Sequence, residues 1–319
     1  MVNTTLLNFP PDRYYTPPMR QGHPVTEDHV SARADIDLRP TLDLVELIND
    51  EDSSVPGAVR AAAASLAAAI DGIVERLELG GRLVYVGAGS SGRLALVDAL
   101  ECGPTFGVPP EQVLALVAGG ATALAVAQEA AEDDVEAGAR DVVAAGVNRR
   151  DAVVLLSASG GTPYVAGAAR AARETGALTI AVVCVEASEL GRAVDHEIAV
   201  VVGPEVISGS TRMKAGTAQK LVLNTISTVA MVRLGKTYGN LMVDVVASNA
   251  KLRGRARRAV LIATGAADDE VDAALESAGG DAKVAIVSLL SGIDADGARL
   301  RLHASGGVVR RALEQDGAR

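Results

Sequence analysis

The 319-residue chain has no tryptophan, two phenylalanines and five tyrosines, so aromatics make up only 2% of it. So few flat rings leave little for base stacking. Basic residues are also short: 30 Lys and Arg stand against 40 Asp and Glu, for a formal net charge of -10. A nucleic-acid partner needs a basic face to neutralise phosphates, so that class is excluded. The two cysteines, Cys102 and Cys184, build neither a disulfide framework nor a zinc pattern. The four histidines, His23, His29, His196 and His303, are far apart and form no paired motif, so no metal site is expected. Apolar runs such as 61–70 are Ala-rich and fall short of the roughly 18 residues a membrane span needs. The start, MVNTTLLNFPPDRYY, lacks a basic region followed by an apolar core. The expectation is a soluble cytoplasmic protein without cofactor, metal, membrane or nucleic acid.

What remains is a chain that is 49% hydrophobic and 22% charged, enough to bury a sizeable core. Six of its twelve prolines fall within residues 1–40, which read as an extended arm. Thr41 is placed to cap a helix over LDLVELINDED, and Pro56 opens a second, Ala-rich helix. Strands and helices then alternate. Strands are predicted at 83–86, 113–117, 152–156, 178–183 and 198–202, with helices at 93–100, 122–145, 163–174 and 213–234. Continuous β-branched runs between helices indicate an α/β fold: a doubly wound parallel sheet covered on both faces. Beyond residue 248 the pattern becomes short Ala/Leu-rich helices broken by glycine pairs, read as a small all-helical C-terminal bundle. SAGGDAKVAI and HASGGVVRRAL look like one helix-entry motif used twice. The predicted organisation is an arm over 1–40, an α/β domain over 41–248 and a helical unit over 249–319. The basic cluster at 251–258 reads as a solvated helix face.

Gly87-Ala88-Gly89-Ser90-Ser91-Gly92 follows the first strand and fits G-x-G-x-x-G. A dinucleotide site also needs an acidic residue about 20 positions on, at the next strand's end. That strand ends in Ala118-Gly119-Gly120, so the nicotinamide reading is weak. Hydroxyls point elsewhere. Ser90 and Ser91 follow the first strand, and Ser157, Ser159 and Thr162 follow the third. Both loops precede helix N-termini, where free N–H groups favour an anion such as a phosphate monoester. The competing reading makes these hydroxyls helix caps. Glu101 closes the apolar stretch LALVDALE just before a phenylalanine, so it is expected to be packed, with the raised pKa that acid/base work uses. Glu132, in AEDD, reads from spacing alone as a solvated acidic face. The polar loop holding Glu205, Ser210, Thr211, Arg212 and Lys214 sits where an active-site loop would.

The segments YVGAGSSGRLALVDALECGPTFGVPPEQV, AEDD, SASGGTPY, GPEVISGSTRMKAGTAQKLVLN and RLGKTYGNLMVDV together resemble the etherases acting on N-acetylmuramic acid 6-phosphate. These form a group within the sugar isomerase (SIS) family. The resemblance spans roughly residues 41–319. It implies a homodimer that takes a sugar phosphate and removes its D-lactyl ether by elimination and water addition. It implies Glu101 and Glu132 as catalytic carboxylates. It places the phosphate contacts at Ser91, Ser157, Ser159 and Thr162, beside Ser90, Glu205, Ser210 and Thr211. The sequence departs from the group's pattern at His29-Val30-Ser31-Ala32-Arg33, Leu100, Gly103 and Gly161. A non-catalytic sugar-phosphate sensor and a sugar-phosphate isomerase are the alternatives this family leaves open.

Overall fold

The computed structural model describes residues 26, 28, 30, 33–126, 128–245 and 250–314. Most of the proline-rich arm, and the boundary read at 248/249, lie outside the described residues. Three helices come first: α1 (Thr41–Asp52), α2 (Val55–Ala61) and α3 (Ala63–Glu78). The cap of α1 is Pro40 rather than Thr41, which already belongs to the helix. Helix α3 buries Leu66, Ala69, Ile70, Ile73, Val74 and Leu77, the spacing of one helical face.

Alternating elements follow. They are β1 (Leu83–Gly87), α4 (Gly89–Phe106), β2 (Val113–Val117), α5 (Thr122–Ala125), α6 (Val135–Ala144), β3 (Ala152–Leu156) and α7 (Pro163–Glu174). Then come β4 (Leu178–Val183), α8 (Glu189–Arg192), β5 (His196–Ala199) and α9 (Lys214–Arg233). The five strands form one parallel sheet in the order β2-β1-β3-β4-β5. Period-two alternation splits each strand between two cores. Leu83, Tyr85, Val154 and Ile180 pack toward α3, α4 and α9, while Val84, Val86, Val153 and Ala181 pack toward α6 and α7.

Each core holds a fully buried tyrosine paired to a carboxylate. The Tyr85 hydroxyl donates to Asp98 at 2.8 Å on one face, and the Tyr164 hydroxyl to Asp141 at 2.6 Å on the other. Asp98 also accepts from Asn224 Nδ2 at 2.6 Å and Ser227 Oγ at 3.1 Å, which ties α4 to α9 across β1. Helices α6 and α7 approach closely through glycines. A Cβ on Gly138 would meet the Tyr164 carbonyl oxygen at 1.9 Å, and one on Gly167 the Val135 carbonyl oxygen at 1.9 Å.

Three predicted elements differ. The helix read over 122–145 is broken into α5, a 3-10 turn at Glu129–Asp133, and α6. Asp134 starts α6 afresh, accepting from the Ala137 N–H at 2.8 Å. The helix read at 93–100 runs from Gly89 to Phe106, so Ser90 and Ser91 form its first turn rather than a loop. The fifth strand lies at His196–Ala199, two residues early, because β4 ends at Val183 and leaves later residues without a ladder.

A two-stranded hairpin, β6 (Thr237–Tyr238) with β7 (Leu241–Met242), leads to α10 (Ala250–Thr264), α11 (Asp268–Ser277), α12 (Ala282–Ser291), α13 (Ala295–Ala304) and α14 (Val309–Glu314). These helices wrap α12, whose residues 282–287 are all buried, in a third hydrophobic cluster. The two look-alike segments are the same device. Gly279-Gly280 and Gly306-Gly307 both take positive φ, and the second glycine N–H bonds back to Leu275 or Leu302 before the next helix starts. On α10, Lys251, Arg253, Arg255 and Arg258 are exposed, and Arg257 pairs with Asp268 and Asp272. Among the described residues no single helix is long and apolar enough to cross a membrane.

Candidate active site

The strand order reverses direction between β1 and β3. In an open parallel sheet this switch point is where the crevice for a ligand opens, at the carboxyl ends of the strands. Both hydroxyl-bearing segments sit there. Helix α4 starts at Gly89 directly after β1, and α7 starts at Pro163 after the 157–162 loop that follows β3. Neither N-cap residue, Ala88 or Thr162, makes a side-chain capping bond, and neither first turn carries an acidic residue. Two helix N-termini therefore present free N–H groups and positive dipole ends to one cleft of about 400 Å³. The helix-cap reading of these hydroxyls does not hold.

Ser90, Ser91, Ser159 and Thr162 line the cleft, and Ser210 and Thr211 line its far wall beside Arg212. Ser157 and Glu205 do not. Ser157 is buried, shares a 2.8 Å hydrogen bond with the Thr162 hydroxyl and accepts from the Gly160 N–H at 3.0 Å. Its hydroxyl shapes the loop rather than facing a ligand. Glu205 is 1% exposed and accepts from the backbone N–H groups of Lys214 at 3.0 Å and Ala215 at 2.9 Å. That carboxylate closes the N-terminus of α9 and does not line the cleft. The neighbouring chain is held from outside. Arg33 donates to the Glu205 carbonyl at 3.0 Å and to the Glu51 carboxylate, and the buried Lys214 Nζ donates to Glu51 at 2.7 Å.

Glu132 enters the cleft from the 3-10 turn after α5. Partial burial pushes its carboxyl above the ordinary range, the nearby charges of Asp133 and Glu129 push the same way, and Arg93 opposes them. Gly89 has φ +53°, and a Cβ there would lie 2.5 Å from Glu132 Oε1. The glycine thus serves twice, taking a left-handed backbone and leaving room for the carboxylate. The reading of Glu132 as a solvated acidic face is overturned by this placement. Arg93, Gln128 and Glu129 also line the cleft and were not read from the sequence. Glu129 stands three residues before Glu132, and residues so spaced eclipse in a 3-10 turn. That signal stays hidden while the segment is read as α-helix.

Glu101 lies elsewhere. It sits twelve residues beyond Gly89 on α4, about 18 Å along the axis at 1.5 Å per residue. It is exposed, next to Leu100 at 65% and Val97 at 58% exposure. The expectation of a carboxylate packed among apolar groups is corrected: the packed side of this turn belongs to Asp98, Ala99 and Cys102. Among the described residues no group of three or more His, Cys, Asp or Glu is arranged to hold a metal ion.

A 2-1-3-4-5 parallel sheet, with two uncapped helix N-termini at its switch point and a helical bundle after it, defines a doubly wound α/β protein with a ligand crevice at the strand ends. Residues 65–173 match the glucokinase regulatory protein N-terminal SIS domain family. The chain is 58% identical to the N-acetylmuramic acid 6-phosphate etherase of Rubrobacter xylanophilus over 294 residues, covering 92% of this chain and 97% of that one. It is 53% identical to the Streptomyces avermitilis protein of the same name, covering 88% and 90%. A solved phosphoheptose isomerase from Francisella tularensis overlays 59% of this chain and 98% of its own, with TM-score 0.46 and 22% identity. The chain belongs to the N-acetylmuramic acid 6-phosphate etherase family.

Proposed function

We propose that this chain splits the D-lactyl ether of N-acetylmuramic acid 6-phosphate with water, giving N-acetylglucosamine 6-phosphate and D-lactate. The observation that carries the reading is the near-full-length identity to etherases, joined to a cleft built for an anion beside a carboxyl of raised pKa. In the open-chain sugar the C2 proton is acidified by the adjacent aldehyde. One carboxylate removes it, the electron pair forms the C2–C3 double bond, and the C3–O bond to lactate breaks. A carboxylic acid protonates the departing oxygen. Water then adds, its hydroxyl to C3 and its proton to C2. Glu132 suits the proton donor, since its surroundings favour the protonated form. The N-termini of α4 and α7, with Ser90, Ser91, Ser159 and Thr162, hold the phosphate, so a remote group orients the reacting carbons.

We assign Glu101 the other proton transfer, and it reaches the chemistry as part of a homodimer. Its distance along α4 keeps it from its own cleft, while the exposed Val97 and Leu100 beside it offer an apolar stripe for a second copy. The compartment is cytoplasmic and the pathway is recycling of cell-wall sugar.

D-lactate release from N-acetylmuramic acid 6-phosphate tests the activity, and sugar-phosphate binding without lactate would overturn it. Mixing Glu101→Gln and Glu132→Gln subunits tests the assignment. Each variant alone is inactive. At equal mixing half the dimers are hybrids with one intact site of two, so activity returns to about a quarter of the unaltered level. No recovery on mixing removes Glu101 of a second copy from the reaction.

A further inference from the structure

Ser91 lines the cleft, and its hydroxyl donates to Gln219 Oε1 on α9 at 2.8 Å. Gln219 is 2% exposed, and its Nε2 has no hydrogen-bond partner. This arrangement is costly twice. A buried amide N–H left unpaired loses its hydration without compensation. Meanwhile the Ser91 proton points away from the cleft, so the hydroxyl offers an anion only lone pairs. A doubly charged phosphate carries acceptors alone and gains nothing from that orientation.

We propose that Gln219 is a positioning residue for the phosphate of the substrate, acting through Ser91; the inference rests on the sugar-phosphate reading above. When a phosphate oxygen enters, the Ser91 hydroxyl turns and donates to it. The Gln219 amide turns half a revolution about its last bond and donates from Nε2 to the vacated Ser91 oxygen. The result is a donor chain running from amide to hydroxyl to anion, in which each bond strengthens the next. The turned amide pairs its N–H and leaves its carbonyl in the unpaired position, so Gln219 favours the occupied state through the charge-assisted donor chain to the anion. No other side chain type of this shape supplies both an acceptor and a donor from the same position.

The test is calorimetric binding of inorganic phosphate and of N-acetylglucosamine 6-phosphate to the full chain, with lactate kinetics alongside. Gln219→Met keeps the shape and removes both polar atoms. Gln219→Glu, assayed alkaline enough to ionise a buried carboxyl, keeps the shape but only accepts, holding the Ser91 proton away. Gln219→Met weakens both ligands by roughly five- to tenfold and Gln219→Glu by more, the size expected for one hydrogen bond to a charged group. The loss falls on KM with kcat little changed, as for a contact made equally in ground and transition states. In a Ser91→Ala background, Gln219→Met costs nothing further. Thermal unfolding tracks the fold, and a purely structural Gln219 would lower stability and kcat together. Affinity within twofold for Gln219→Glu, or an undiminished Gln219→Met loss in the Ser91→Ala background, overturns the proposal. Lactate never released by the unaltered protein sinks the etherase reading instead, while inorganic phosphate affinity still decides the role of Gln219.

Discussion

Replacing Gly89 by alanine tests whether the cleft is built around Glu132. Gly89 has φ +53°, and a left-handed backbone costs an L side chain about 1–2 kcal/mol. The added Cβ meets Glu132 Oε1 at 2.5 Å, whereas ordinary contact begins at 3.4 Å, so the carboxylate must retreat by about 0.9 Å. A misplacement of this size at a reacting group costs up to about a hundredfold. Gly89→Ala is therefore expected to lose between about ten- and a hundredfold in kcat for lactate release, with a drop of a few degrees in Tm. Gly80→Ala is the matched control. Gly80 has φ +77° and nothing within 4 Å of its would-be Cβ, so it carries the backbone strain alone. The two variants should lose similar stability, and only Gly89→Ala should lose turnover. Equal Tm losses with kcat unchanged in both would refute the placement of Glu132 as a working group.

Asp98→Ala orphans the buried or half-buried donors on Tyr85 and Asn224, leaves Ser227 only its bond to the Asn224 carbonyl, and is expected to cost about 2–5 kcal/mol in urea denaturation; a loss below about 1 kcal/mol would deny the cluster its structural role. Glu51 gives a pH signature. Partial burial works against its charge, but the Lys214 and Arg33 cations outweigh that and hold its carboxyl below the ordinary glutamate range. A depressed folded pKa means this stability is complete above the ordinary Glu range and is lost as pH falls through the lower folded value. Urea midpoints across that window should fall more steeply for the unaltered protein than for Lys214→Met, and parallel curves would remove the pair from the stability balance.

The sheet was legible because strands such as Ala152–Leu156 are short apolar runs, and β1 and β3 are followed at once by Gly/Ser segments. The site's location followed from the same turns, since serines just past β1 and β3 must fall on one rim. What stayed hidden was non-local or shared between faces. Ala and Glu favour helix, and the sign of a break in residues 122–145 is the cap residue Asp134, which an unbroken Ala-rich reading passes over. Glu205 caps a helix starting nine residues later, and Ser157 binds Thr162 across a loop, contacts that only the folded chain reveals. Glu101 was misjudged because LALVDALE is apolar on two sides. One side faces the core through Asp98 and Cys102, and the other carries Val97 and Leu100 outward.

The pairing of one buried tyrosine to one carboxylate on each face of the sheet has an optical consequence. With no tryptophan in the chain, ultraviolet emission comes from tyrosine alone. A phenol bonded to a carboxylate surrenders its proton readily once excited, so Tyr85 and Tyr164 are expected to be dim while the Asp98 and Asp141 bonds persist. Unfolding breaks those bonds and brightens the protein, the reverse of the usual quenching by water. Because the two rings sit in separate cores, Tyr85→Phe leaves a reporter for the α6/α7 face, and Tyr164→Phe one for the face that carries α4 and α9. The two halves of the sandwich can then be watched melting one at a time.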